Sequence, residues 1–169
     1  MSANAQGHRP LVTIGIPSYN CGRYIARSVR SALAQTYENI EVLVIDDVSS
    51  DETMTVLAEI EDPRLRVLSN PTNLGAVGNW NRVLEEARGD FIKLLHSDDL
   101  IGSDAIETLL APMLADERVV LVSTRRRIID EDGRHIITRG ARWSEGTVDG
   151  ARVVRSMVRE GCNLIGEPS

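Results

Sequence analysis

One pattern, an apolar run that stops at an acidic pair, occurs twice and constrains the fold more than any other feature. Ile40-Glu41-Val42-Leu43-Val44-Ile45 runs into Asp46-Asp47. Phe91-Ile92-Lys93-Leu94-Leu95 runs through His96-Ser97 into Asp98-Asp99. Each run suits one buried strand and is too short for a helix. A carboxylate beside a buried strand is costly unless something positive meets it. Adjacent carboxylates also raise each other's pKa unless a cation lies near. An isolated Asp-Asp is ordinarily a solvated turn. Two buried strands that each deliver an acidic pair to the same sheet edge describe a site, and a hard divalent ion with phosphate oxygens would supply the missing charge.

The rest of the chain alternates in kind. Met1 to Arg9 is polar and reads as a disordered leader. Leu11 to Ile16 is a first strand, ended by Pro17. Asn20 is an N-cap candidate for a helix from Gly22 to Ala34, with Ile25, Val29, Ala32 and Leu33 on its inner face. After the second strand, Ser49 and Glu52 have capping-box spacing and open a helix to Ile60, with Val56, Leu57 and Ile60 inward. Leu65 to Leu68 is a third strand. Asn73-Leu74-Gly75 leads into a helix ending near Ala87, with Val77, Trp80, Leu84 and Ala87 expected inward. The acid-ended fourth strand follows. A helix bearing Ile106, Leu109, Leu110, Met113 and Leu114 comes next, where Pro112 predicts a kink or break. Val119 to Ser123 reads as a further strand. Arg127-Ile128-Ile129 and Ile136-Ile137-Thr138, joined through Asp132-Gly133, read as a hairpin. Asp149 to Arg159 is a last amphipathic helix, with Gly161 as its C-cap.

The alternation predicts an α/β fold with a mostly parallel sheet flanked by helices, residues 10–169 forming one domain. Ligands in such sheets sit outside the carboxyl ends of the strands. Pro17-Ser18-Tyr19-Asn20, Asp46-Asp47 and Asp98-Asp99 all lie at such ends, and this agreement is the main evidence for a site.

Composition narrows the function. The 169 residues carry a formal net charge of −6, which argues against nucleic acid as a partner. No apolar run reaches the length of a membrane span, and no leader with an apolar core is present. With only Cys21 and Cys162 and no such leader, the expected location is cytoplasmic, with thiols rather than a disulfide. Membrane association stays open. Neither a Walker loop nor a dinucleotide fingerprint follows the first strand. A bound phosphate would therefore be met by a carboxylate-held metal rather than a glycine-rich cradle. An oxygen-only ligand set suits Mg²⁺ or Mn²⁺. Such a cation would bridge the phosphates of a diphosphate and stabilise it as it leaves.

Four segments in order resemble one family. Val12-Thr13-Ile14-Gly15-Ile16-Pro17-Ser18-Tyr19-Asn20, then Val44-Ile45-Asp46-Asp47-Val48-Ser49-Ser50-Asp51, then Asn73-Leu74-Gly75, then Gly89-Asp90-Phe91-Ile92 into Ser97-Asp98-Asp99 look like family 2 glycosyltransferases of the GT-A fold. The resemblance covers about residues 10 to 124. It implies inverting transfer of a sugar from a UDP-, dTDP- or GDP-linked donor to a saccharide or lipid-linked acceptor, with Mg²⁺ or Mn²⁺, in cell-surface polysaccharide synthesis. It further implies that Pro17, Ser18, Tyr19 and Asn20 line the nucleotide pocket. Asp47 would contact the base with Asp46 beside it, Asp98 the ribose, and Asp99 the metal. Many members have Asp where this chain has His96, which then reads as a spacer or as a gate near the diphosphate. The family's general base comes from an acidic residue well past the metal motif. Here Cys162 to Ser169 resembles the segment before it, so the chain reads as an N-terminal portion, with Glu167 the one acidic candidate near that end.

The remaining residues have plainer readings. Trp80 reads as core. Trp143, in a polar loop, could stack on an acceptor sugar, and Arg125-Arg126-Arg127 could neutralise a diphosphate. Cys21 sits near a helix N-terminus, with nothing supporting a nucleophilic role. Two rival functions share the acidic strand ends. One is a nucleotide-sugar-binding fragment without turnover. The other is a nucleotidyltransferase, which should show a basic, glycine-rich loop after the first strand where this chain has Pro-Ser-Tyr-Asn.

Overall fold

The computed structural model describes residues 9–140 and 146–160. The leader up to His8, Trp143, Gly161, Cys162 and Glu167 lie outside the described residues. The chain divides into two compact units, Met1–Ile106 and Glu107–Ser169.

The first unit is built on a four-stranded parallel sheet of order β3-β2-β1-β4. In chain order β1 is Val12–Ser18, α1 Gly22–Leu33, β2 Ile40–Asp46, α2 Thr53–Ala58, β3 Leu65–Ser69, α3 Gly75–Glu86 and β4 Phe91–Leu94. Helix α4, Ala105–Ala115, starts at the end of this unit. β2 is buried along its whole length, which is why it reads as a nearly unbroken apolar run. β1 and β2 pair in register from Val12 opposite Ile40 to Ser18 opposite Asp46. Ile14, Ile16, Val42 and Val44 share one face of the sheet, and Gly15, Leu43 and Ile45 the other. Val83 of α3 closes over Leu43 and Ile45, with Leu68 and Leu94 packed alongside. Each such aliphatic side chain, fully withdrawn from water, contributes about 1.5–3 kcal/mol.

Helix α3 approaches the sheet closely because residue 15 is glycine. A Cβ there would stand 2.3 Å from Val83 Cγ1. At the opposite end of the strands, Glu41 accepts hydrogen bonds from Thr13 Oγ1 and the Arg88 backbone N–H, both at 2.6 Å, and pairs with Arg66 at 3.4 Å. That network satisfies a carboxylate that would otherwise be costly to bury.

Three local expectations change. Asn20 is not the cap of α1: it sits at φ 49 and makes no side-chain bond to the helix start. The free N–H groups are met from the start of α2 instead, with Cys21 N–H donating to Thr53 Oγ1 at 2.9 Å and Gly22 N–H to Asp51 Oδ2, just before that helix, at 3.0 Å. The Ser49–Glu52 capping box does not form either. Ser49 turns back to Asp46, and the Thr53 N–H donates to Asp51 Oδ1 at 3.0 Å. The helix α3 is rotated from its expected phase: Asn79 and Val83 are buried, while Val77 and Leu84 are 77% and 48% exposed. The polar side chain of Asn79 finds backbone and side-chain partners at the strand ends, and this outweighs the apolar count on the other face.

α4 carries Pro112 within one continuous helix, with Ile106 and Leu110 buried and Leu114 exposed. In the second unit β5, Arg126–Ile129, pairs antiparallel with β6, His135–Arg139, as the hairpin pattern predicts. Helix α5 is Gly150–Glu160. Val119 to Ser123, expected as a strand, is not in regular structure; Val120 and Leu121 are 84% and 61% exposed. An apolar run gains strand geometry only when another strand pairs with it, and none does here among the described residues.

Candidate functional site

The order β3-β2-β1-β4 places the reversal of strand order at β1, so the crevice predicted for a ligand opens at the carboxyl ends of β1 and its neighbours. A cavity of about 500 Å³ lies there, lined by Pro17, Ser18, Tyr19, Asp47, Val48, Asn73, Gly75, Ala76, Asn79 and Trp80.

Its floor is a network of buried polar groups. The Asp47 backbone N–H donates to Ser18 O at 2.8 Å and ties β2's end to β1's. Asp47 is 2% exposed, and its carboxylate accepts from Asn70 Nδ2 at 2.7 Å, Leu74 N–H at 2.8 Å and Gly75 N–H at 2.9 Å. It therefore meets the N-terminus of α3, where a negative charge is favoured. Gly75 can donate there because it adopts φ 71, a conformation open to glycine. Asn73 braces the turn from both sides, donating from Nδ2 to Asp47 O at 2.9 Å and accepting the Gly75 N–H at 3.1 Å. Asn79 donates to Ile45 O at 3.0 Å and accepts from Asn70 Nδ2 at 3.1 Å. Asp46 is not among the lining residues and receives the Ser49 N–H at 2.9 Å, which fixes the loop after β2. That loop brings Val48 to φ 63, a strained conformation for a β-branched residue.

The sequence-derived candidates thus fall into groups. Pro17, Ser18, Tyr19 and Asp47 line one cavity. Asn20 lies next to it, its N–H on Ser49 Oγ and its Oδ1 holding the Ser50 N–H, both at 2.8 Å. Asp98 and Asp99 stand at the end of β4 and are not among the lining residues; Asp98 is exposed and Asp99 half-buried. Their loop is tied to α1 by Ser28 Oγ to His96 O at 3.1 Å, Ser97 Oγ to Cys21 Sγ at 2.9 Å and Ile101 N–H to Ser31 Oγ at 3.2 Å. Burial pushes the Lys93 ammonium below the usual lysine value, and the charge of Asp99 acts in the other direction. Arg125, Arg126 and Arg127 belong to the second unit.

Among the described residues no group of three or more His, Cys, Asp or Glu converges as a metal cage. Two adjacent carboxylates fit a different arrangement, since Mg²⁺ is commonly held by one or two carboxylates and completed by water and substrate phosphates. Trp80, expected in the core, instead lines the cavity and meets His96 edge-on, ring centroids 4.9 Å apart at 74°. Val48, Asn73, Gly75, Ala76, Asn79 and Trp80 line the cavity without having been candidate site residues; Val48, Asn73 and Gly75 stood only within family motifs, and Trp80 was expected in the core. The available signal for Asn79 was a polar residue four positions before Val83, on one helix face.

The profile of glycosyl transferase family 2 matches residues 13–156. A chondroitin synthase of Pasteurella multocida (strain Pm70) is 40% identical over 141 residues, covering 82% of this chain and 14% of that protein. An Escherichia coli β-1,3-glucosyltransferase, named for UDP-Glc and α-D-GlcNAc-diphosphoundecaprenol, is 43% identical over 62% of this chain and 41% of its own length. This chain spans less than half of either relative. Among solved structures, S. aureus TarS 1-349 in complex with UDP-GlcNAc matches with a TM-score of 0.59 and 27% identity, over 63% of this chain and 32% of that one. The mannosyltransferase PcManGT of Pyrobaculum calidifontis, in complex with GDP-Man and Mn²⁺, gives 0.61 and 27%, over 69% and 36%. These neighbours are GT-A glycosyltransferases, and the parallel sheet flanked by helices is the same fold. With the family pattern running through both units, this chain belongs to glycosyl transferase family 2.

Proposed function

We propose that this chain is the donor-binding part of an inverting glycosyltransferase that takes a sugar from a nucleoside diphosphate to a saccharide or lipid-linked acceptor in polysaccharide synthesis. The observation that carries the reading is the cavity at the ends of β1 and β2, with the acidic pair at the end of the neighbouring strand β4. The names of the relatives and neighbours support the substrate class: UDP-Glc, UDP-GlcNAc and GDP-Man as donors, and a diphosphoundecaprenol-linked acceptor.

In this reading the nucleoside occupies the cavity. Tyr19, 52% exposed, offers a face for stacking the base. Asp47 keeps acceptor capacity on Oδ2, which receives one N–H from the chain. It can take a second hydrogen bond from a base N–H or a ribose hydroxyl. The diphosphate then extends towards β4. Asp99, with Asp98 beside it, would hold Mg²⁺ or Mn²⁺, which supplies positive charge against the diphosphate when bound. In inverting transfer the acceptor oxygen bonds to the anomeric carbon as the bond to the diphosphate oxygen breaks, and a base takes the acceptor's proton. The resemblance implies a base from an acidic residue well past the metal motif, and Glu167 is the one acidic candidate near that end of this chain. The cytoplasm, where nucleotide sugars are made, is the proposed location. Among the described residues no helix is long and apolar enough to cross a membrane.

The test is calorimetric titration of UDP, dTDP and GDP with and without Mn²⁺, for wild type and Asp99→Ala. One nucleotide should bind in a metal-dependent way, and Asp99→Ala should weaken it by about tenfold or more, equal to about 1.4 kcal/mol. Binding of no nucleotide to a cooperatively folded chain would sink the reading.

A further inference from the structure

Folded proteins pair nearly all their buried polar atoms, so an unpaired one needs a reason. Ser18 Oγ and His96 Nε2 are both buried, and neither has a hydrogen-bond partner among the described residues. Their positions relate them. Ser18 is the last residue of β1, is 1% exposed and lines the cavity. His96 follows β4, the strand beside β1, where Gly15 stands opposite Leu94 and Leu95 N–H donates to Gly15 O at 2.9 Å. The two residues therefore sit on adjacent strand ends, Ser18 lining the cavity and His96 meeting its wall through Trp80. The His96 backbone is fixed, its carbonyl accepting from Ser28 Oγ and from Asp99 N–H, both at 3.1 Å. Its ring is seated against Trp80, itself a wall of the cavity.

The ligand chemistry follows from what the strand ends otherwise offer. Asp46, Asp47, Asp98 and Asp99 are all negative, and no glycine-rich loop supplies backbone N–H groups to a phosphate. A hydroxyl and an imidazole N–H are donors, and a charged oxygen acceptor is what makes such bonds short and strong. At position 96 a carboxylate could only accept. A histidine can donate, so the residue here changes which ligand group this edge favours.

We propose that His96 Nε2 and Ser18 Oγ are hydrogen-bond donors to oxygens of the diphosphate of the sugar donor, with Trp80 holding the imidazole in place. This rests on the nucleotide-sugar reading above and adds two residues that address the phosphates rather than the nucleoside.

The comparison that decides is diphosphate against monophosphate. UDP and UMP, and GDP and GMP, are titrated in Mg²⁺ into the whole chain as wild type, His96→Phe, His96→Gln and Ser18→Ala. His96→Phe keeps a ring against Trp80 and loses the nitrogen. His96→Gln returns an amide N–H at similar reach. His96→Phe is expected to weaken the diphosphate about tenfold, equal to about 1.4 kcal/mol, and to leave the monophosphate nearly unchanged. His96→Gln restores most of the loss. Ser18→Ala weakens the diphosphate several-fold. Thermal unfolding without ligand is the second readout. Removing an atom that has no partner in the free chain should leave the melting temperature unchanged or higher, whereas a structural role lowers it. Equal losses for mono- and diphosphate, or no loss in His96→Phe and Ser18→Ala, overturn the assignment while leaving the nucleotide site standing. Failure of the wild type to bind either class of nucleotide overturns that site and this assignment together.

Discussion

Val48 is the clearest case of local strain beside the cavity. A β-branched residue at φ 63 costs about 1–3 kcal/mol. Glycine would remove that cost, while its greater freedom in the unfolded chain takes back about 0.5–1 kcal/mol. The strain term wins, so Val48→Gly should stabilise the chain by about 1 kcal/mol, read from the urea midpoint. Asp51 shows a different residue-level device. Its hydrogen bond from the Thr53 hydroxyl, and then that from the Gly22 N–H, hold its pKa below the ordinary 3.8. A carboxylate whose folded pKa is depressed adds stability that is present above its unfolded value and is lost as pH falls through the folded one. Asp51→Ala should therefore lower the melting temperature at neutral pH. It should also leave a shallower decline than wild type between about pH 4 and pH 2. Identical acid limbs would show that the α1 start does not depend on this carboxylate.

At the scale of elements, α3 decides the shape of the site. Its first turn is held by Asp47, its middle by Asn79, and its later turns by Val83 against Gly15. Gly15→Ala would drive a methyl into Val83, and overpacking of this kind costs about 1–3 kcal/mol. Adding Val83→Ala should recover part of that loss, so the double variant would be more stable than the sum of the singles. Strict additivity in denaturant titrations would mean that α3 does not rest on residue 15. The phase of α3 was not legible from apolar spacing, because the spacing of Val77, Trp80, Leu84 and Ala87 is a valid helical face. The buried face includes an asparagine whose partners, Asn70 and the Ile45 carbonyl, come from elsewhere in the chain. The strands were legible for the opposite reason. β2 is covered on both faces, and only an apolar run survives there.

At the scale of the molecule, ligand and stability are linked through the strand ends. A nucleotide that binds the folded chain alone, present at about 100 times its dissociation constant, adds about 2.7 kcal/mol. For a chain of this size that corresponds to a rise in melting temperature of about 5–10 °C. The gain should be absent with free sugar lacking a nucleotide, since the proposed function puts the nucleoside in the cavity. Amide exchange should slow most at Ser18, Asp47 and Gly75, where strand ends and the α3 start converge. Protection confined to β5 and β6 would place the ligand elsewhere.

Which edge of the sheet carries the polar strand ends was already implicit in the primary structure. Apolar runs of strand length, each stopping at Pro17, Asp46 or Asp98, declare which end of the sheet carries polar groups, because a buried strand cannot hold them in its middle. Four family motifs in order made the same edge recognisable. What each of those residues does there was settled by distance in space. Asp46 serves a turn, Asp47 holds a helix while facing a cavity, and His96 is left with a buried nitrogen next to Trp80. No local pattern encodes these roles, since each partner lies on another strand or helix, and only folding brings them within hydrogen-bonding reach.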